Sequence, residues 1–308
     1  MPKPFWPQLS VFGLALALAQ PGYAQESQKE VRDSAIRAIR KLGGRVVQNP
    51  DDPKKAWVEV ELSGNPNRIT DETIQRIRDH LRNLGTINKL DLGYAKITDD
   101  GLKHLEDMDG IRGLSLAFCP IGDAALSHLR RLPKLGALWL TGTRIGDNGS
   151  KDLGSLTRLH VLYLGGTRIT DKGLIDLKKL TELRLLWLHS LQITDNGILN
   201  LKELSRLQDL NLAHTPITDA GLAHLKGMTE LRDLNLYGTQ ITDAGLKHLE
   251  GMVELRYVSL GGTKVSDAGL TSVKNWRKLE SLIIEKTQVT DAGVQELKQA
   301  LPKAEIHR

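Results

Sequence analysis

The sequence predicts an α/β solenoid: a strand, a turn and a short helix repeated along most of the chain. Leucine is the first sign. It fills 53 of the 308 positions while aromatics are only 4%, the skew of a repeated leucine frame rather than of a mixed core. The second sign is self-similarity. Ile97-Thr98-Asp99-Asp100-Gly101-Leu102 returns as ITDKGL at Ile169, ITDNGI at Ile193 and ITDAGL at Ile217 and Ile241, with looser copies at Ile121, Ile145, Val265 and Val289. These nine starts lie 24 residues apart with no insertion. A tenth, ITDETI at Ile69, stands 28 residues before Ile97, which leaves room for about one more helical turn. The third sign is a change of hydrophobic period inside each unit, from two to three.

The first residues read as an address. Lys3 precedes an uncharged run from Leu9 to Ala19, and as a helix that run covers only about 16 Å, roughly half a bilayer core. Gly22-Tyr23-Ala24 then puts small residues at the two positions a signal peptidase reads. Residues 1–24 are expected to be a cleaved secretory signal; an uncleaved anchor and cleavage after Ala19 are the alternatives. The mature chain is then secreted or periplasmic. No later stretch approaches the ~18 consecutive apolar residues of a membrane span.

Residues 25–64 are expected to cap the N-terminal end of the solenoid, since a terminal unit has a neighbour on one side only. Val31, Ile36, Ile39 and Leu42 form a helical stripe that stops at Gly43-Gly44. Arg45-Val46-Val47 and Trp57 to Leu62 read as two strands of a hairpin around the turn-rich NPDDPKK, with Trp57 packing in the cap. The array is expected over residues 65–308. In each unit, leucines such as Leu138 and Leu140 alternate with Ala137, Trp139 and Thr141 at strand period. Thr98-Asp99 and its counterparts offer oxygen acceptors to the free N–H groups of a helix start. The helix follows with Leu174, Leu177 and Leu180 on one stripe. Trp276 occupies such a stripe slot and should pack. Pro302 ends the last helix, and Ala304-Glu305-Ile306 is expected as a short edge strand.

With LxxLxLxxTxI and ITDxGL repeating every 24 residues from about Trp57 onward, the chain resembles the leucine-rich repeat family. It is most similar to the class in which threonine or cysteine replaces the ladder asparagine, as in bacterial exported repeat proteins and in cysteine-containing, F-box-type arrays. The resemblance implies a horseshoe with parallel strands on its concave face and short helices on its convex face. The ladder position holds Ala95, Cys119, Thr143, Thr167, Leu191, Thr215, Thr239, Thr263 and Thr287. Cys119 is thus expected to be a buried structural residue, and Ala95 and Leu191 interrupt the ladder.

Composition excludes several chemistries. Basic and acidic residues, 42 against 37, are intermixed, so no phosphate-binding stripe forms and no nucleic-acid partner is expected. One cysteine supports neither a disulfide framework nor a multi-thiolate zinc site. HExxH, GxGxxG and P-loop patterns do not occur. Gly113-Leu114-Ser115-Leu116-Ala117 mimics a nucleophile elbow, but its serine is mid-strand rather than at a strand-to-helix turn. His104, His128, His224 and His248 share one helix slot with Asp152, Asp176 and Asn200, which reads as exposed helix polarity rather than as a metal site. The repeated aspartates are accounted for by their place at helix starts. No enzymatic activity, cofactor or metal is expected.

The function expected is that of a non-enzymatic, exported binding module that recognises a protein, peptide or glycan on its concave face. The alternative is an adaptor resembling F-box leucine-rich repeat proteins, which recruit targets to a ubiquitin ligase. The middle residue of each LxL faces the open surface, so the central column reads Asp91, Ser115, Trp139, Tyr163, Trp187, Asn211, Asn235, Ser259 and Ile283. Trp139, Tyr163 and Trp187 on consecutive strands, about 4.8 Å apart, would make a platform roughly 10 Å long. His189 and Tyr237 stand in the next column, and Asp209, Asn211, Asp233 and Asn235 would form a polar rim. These nine residues are the candidate ligand-binding site.

Overall fold

The computed structural model describes residues 21–48, 58–64 and 66–308. The expected leader lies outside the described residues, except that residues 21–24 form the first turn of a helix, Pro21–Lys41. That helix starts well before the apolar stripe that announced it. Trp57 and the NPDDPKK loop also lie outside the described residues. Gly43 ends the helix with φ +85°, a backbone that glycine adopts at little cost.

A single sheet runs through the described residues, its twelve strands in sequence order. Strand β1 (Arg45–Gln48) pairs antiparallel with β2 (Val58–Glu61). All later pairings are parallel: β3 (Lys89–Asp91), β4 (Gly113–Ser115), β5 (Ala137–Trp139), β6 (Val161–Tyr163), β7 (Leu185–Trp187), β8 (Asp209–Asn211), β9 (Asp233–Asn235), β10 (Tyr257–Ser259), β11 (Ser281–Ile283) and β12 (Glu305–His307). The register is in phase, with Leu138 opposite Leu162 and Trp139 opposite Tyr163. Equivalent residues of successive repeats therefore stack in columns.

Leu138, Leu140, Leu162, Leu164, Leu186 and Leu188 are fully buried, as are Leu174, Leu177 and Leu180 on the helical side. Each such leucine contributes about 1.5–3 kcal/mol. The helical side is thin, with one-turn helices such as Asp195–Ile198 and short 3₁₀ segments such as Leu177–Lys179. Longer helices stand at the two ends of the array: Asp71–Asn83, 13 residues capped by Thr70, which absorbs the longer 28-residue spacing, and Asp291–Ala300, 10 residues. The helix Pro21–Lys41 packs against it. Trp276 is fully buried and donates its indole N–H to the Leu249 carbonyl at 3.1 Å. None of the described helices is long and apolar enough to cross a membrane.

The structure corrects the reading of the repeated aspartates. Threonine caps the short helices, as Thr218 does for Ala220 N–H. The aspartate points instead to the following repeat. Asp195 Oδ1 accepts the Thr218 N–H at 2.8 Å, and its Oδ2 accepts the Thr218 hydroxyl at 2.6 Å. Asp147, Asp171, Asp219 and Asp267 clamp Thr170, Thr194, Thr242 and Thr290 in the same way. Asp99 and Asp123 meet Gly122 and Gly146, which offer the backbone N–H alone. The glycine of ITDxGL gives the Asp195 carboxylate its room, because a Cβ on Gly221 would stand 2.5 Å from Asp195 Oδ1. Beside Asp99 the slot is Ala125, and only the backbone N–H is bonded there.

Ladder threonines donate to the carbonyl three residues back, Thr143 to Leu140 at 2.7 Å for example. Cys119 differs: its thiol reaches the Leu92 carbonyl of the preceding repeat at 3.1 Å. Burial pushes that thiol up to about 12. Leu191, although buried, has no hydroxyl to give.

Candidate binding surface

Residues flanking the buried central leucine of each strand emerge on the sheet face turned away from the helices. The in-phase register decides what meets there. Trp139 and Tyr163 have ring centroids 5.9 Å apart at 33°. Tyr163 and Trp187 are 4.3 Å apart at 53°. His189 closes the row edge-on to Trp187 at 6.2 Å. The rings are tilted against one another, so the platform is stepped rather than flat. His189 lies against Gly165, where a Cβ would be 2.1 Å from its Nε2; only glycine leaves room for that ring. Burial, then the proximity of His214, holds His189 below the usual histidine range, and burial followed by the Asp209 charge pushes the Tyr163 phenol up.

At the N-terminal end of the row, the Lys89 ammonium sits 5.3 Å from the Trp139 ring centroid and 3.3 Å from the Asp91 carboxylate. At the C-terminal end, the Trp187 indole N–H donates to Asp209 Oδ1 at 3.0 Å. Burial pushes the Asp209 carboxyl up to about 6; the Trp187 hydrogen bond opposes the shift and the Asp233 charge adds to it. Asp233, opposite Asp209 in the sheet, is also pushed up by burial, with Arg232 opposing.

The four polar residues expected as a rim instead line a cavity of about 320 Å³ beyond Trp187. Asn211 and Asn235 spend their carboxamide oxygens inside the chain, accepting the N–H groups of Ala213 and Tyr237 at 3.0 and 2.9 Å. Their amide NH₂ groups are what remains for a ligand. The far wall is Tyr257, Ser259, Ser281 and Ile283. Ser259 and Ile283 stand in the central column, but nothing in the one-dimensional pattern singles these residues out as the wall of one cavity.

Tyr237 stands apart from the aromatic row. It packs edge-on to His214 at 5.2 Å, lies near Gly261, and its hydroxyl meets Lys286. A second aromatic group, invisible to the LxL columns, is the exposed stacked pair Tyr94 and Phe118, 4.7 Å apart at 11°. Both have positive φ, 61° and 59°, at the slot where Gly142, Gly166, Gly238 and Gly262 stand in other repeats. The signal that could have found them is this interrupted glycine column.

No group of three metal-ligating side chains comes together among the described residues. Ser115 is buried in its strand, opposite Asp91 and away from any strand-to-helix turn.

A family model for the leucine-rich repeat matches residues 86–105, 155–178 and 205–225. Among curated proteins nothing matches significantly. Among solved structures, internalin C2 of Listeria monocytogenes is similar at 25% identity and TM-score 0.51, over 68% of this chain and 83% of that one. An internalin F from the same organism is 18% identical at TM-score 0.49, over 77% of this chain and 88% of that one. A repeat protein of Leptospira interrogans is 15% identical at TM-score 0.44, over 74% of each chain.

Proposed function

We propose that this leucine-rich repeat chain is a non-enzymatic binding module, working outside the cytoplasm, that takes its partner on the concave face. The observation that carries the reading is the continuous row Trp139–Tyr163–Trp187–His189, which opens into the cavity beyond Trp187. The leucine core is complete without these rings, and in a chain with 4% aromatics their collection on one open face needs a reason. Trp and Tyr dominate binding hot spots, and these half-buried rings touch one another in one unbroken row. The apolar row bordered by polar groups has the anatomy of a recognition surface.

Capture of a partner from the extracytoplasmic fraction, with the chain as bait, tests this. The double variant Tyr163→Ala/Trp187→Ala is expected to lose capture while still unfolding cooperatively. A convex-side control, Ile175→Ser/Leu199→Ser, alters exposed residues and should capture like the wild type. Undiminished capture by the concave variant would move the site off this face.

A further inference from the structure

We propose that the cavity beside Trp187 seats a basic side chain, Lys or Arg, of a peptide segment lying along the concave face. Its charged head would lie between Asp209 and Asp233 and its stem against the Trp187 indole. This rests on the concave-face reading above and names the chemistry of its partner.

The chain displays the chemistry itself at the other end of the same row. There a carboxylate and a Trp ring hold an ammonium: Lys89 lies 3.3 Å from Asp91 and 5.3 Å from the Trp139 centroid. Two strands on, Trp187 again stands beside carboxylates, Asp209 and Asp233, here with its indole N–H bonded to Asp209 Oδ1 and so with its ring face left to the stem of a cation. Here no ion pair to either carboxylate forms among the described residues. Arg256 is taken by Glu280 at 2.9 Å, and Glu280 also accepts the Tyr257 hydroxyl. Arg232 and Arg256 act on Asp233 from beyond ion-pair distance, and neither acts on Asp209.

Two like charges in register on neighbouring strands are destabilising, and partial burial raises the cost of each. A cation between them removes both penalties, and the indole face adds a cation–π attraction. A neutral sugar would hydrogen-bond to these groups but leave both charges uncompensated and further desolvated. A volume of about 320 Å³ is at the small end of ligand sites, suited to one long side chain. The platform Trp139–Tyr163 then receives the neighbouring apolar side chains of the segment.

Because a bound cation favours the ionised carboxylates, affinity should hold above pH about 6 and fall below it as Asp209 protonates. The groups facing Asp209 are the Tyr163 phenol, the Trp187 indole and Asp233, with Arg232, Arg256 and Glu280 beyond them.

The test uses the full chain with two capped pentapeptides, Phe-Gly-Arg-Gly-Phe and its neutral citrulline twin, by calorimetry and by NMR of the Trp187 indole N–H. The arginine peptide is expected to bind about 10-fold tighter at pH 7.5, and the preference should shrink at pH 5. Asp209→Asn/Asp233→Asn should abolish the preference while Tm is kept or raised. Equal binding of both peptides with a shifted Trp187 signal overturns the basic-side-chain proposal and leaves the concave-face reading standing. A shift produced by a linear hexasaccharide but by neither peptide overturns it in favour of a glycan. A Trp187 signal that none of these probes moves overturns the proposal, while partner capture by the concave variants decides the broader reading separately.

Discussion

Asp209, the carboxylate proposed to meet a partner's cation, is held at the expense of stability. Its carboxyl, pushed up to about 6 by burial, starts from about 3.9 in the unfolded chain. Between those values the folded state holds more protons, so stability falls as pH rises from about 4 to about 6 and stays lower above. Asp209→Asn keeps an oxygen for the Trp187 indole and removes the charge. After discounting for solvent screening of a half-open site, it should stabilise by about 1 kcal/mol at pH 7.5. Thermal melts should show that gain vanishing near pH 4. Cys119 behaves oppositely. With its thiol pushed up to about 12 and its proton on the Leu92 carbonyl, it should resist alkylation at pH 8 until the chain unfolds, as intact-mass measurements would show. The ladder placed Cys119 inside without any structure. The same one-dimensional reading put Asp209 on a rim, because the depth of a site depends on the strands beside it.

The joint between repeats is an Asp clamp that packs against a glycine in most repeats, Ala125 beside Asp99 being the exception. Asp195→Ala strands the Thr218 N–H and hydroxyl, and should cost about 1–2 kcal/mol. Gly221→Ala drives a methyl to 2.5 Å from Asp195 Oδ1 and should destabilise the wild type. In the Asp195→Ala background that clash is gone, and the intrinsic helix preference for alanine, about 1 kcal/mol, makes the same change favourable. Urea denaturation of the four proteins gives the cycle; additive effects would mean that Asp195 and Gly221 do not share this space. ITDxGL was legible as a motif at every copy. Its aspartate was assigned to its own helix because local capping is the nearest use for a carboxylate beside a helix start, and the true acceptor role spans 23 residues of sequence.

Along the whole chain, each repeat touches chiefly its neighbours, so stability is distributed and local in origin. Leu188→Ala, in the fully buried column, should cost about 2–5 kcal/mol. Lys172→Ala, at an exposed position of the short helix Asp171–Leu174, should stay within about 0.5 kcal/mol. Equal shifts in denaturation midpoint would contradict the assignment of inward and outward faces.

Period and burial were determined by the sequence alone, because a 24-residue repeat with leucines at two and three spacings has one way to hide them all. The columns follow from the same fact: identical units stacked in phase put Trp139 beside Tyr163 and Tyr163 beside Trp187. Tertiary structure decided what the columns become. Ring tilts, the cavity walled by Tyr257 and Ser281, the glycine beneath His189 and the pairing of Asp91 with Lys89 depend on side-chain directions across strands. A repeat period fixes which residues are neighbours, but only packed coordinates say which way each side chain leans and which charges remain without a partner.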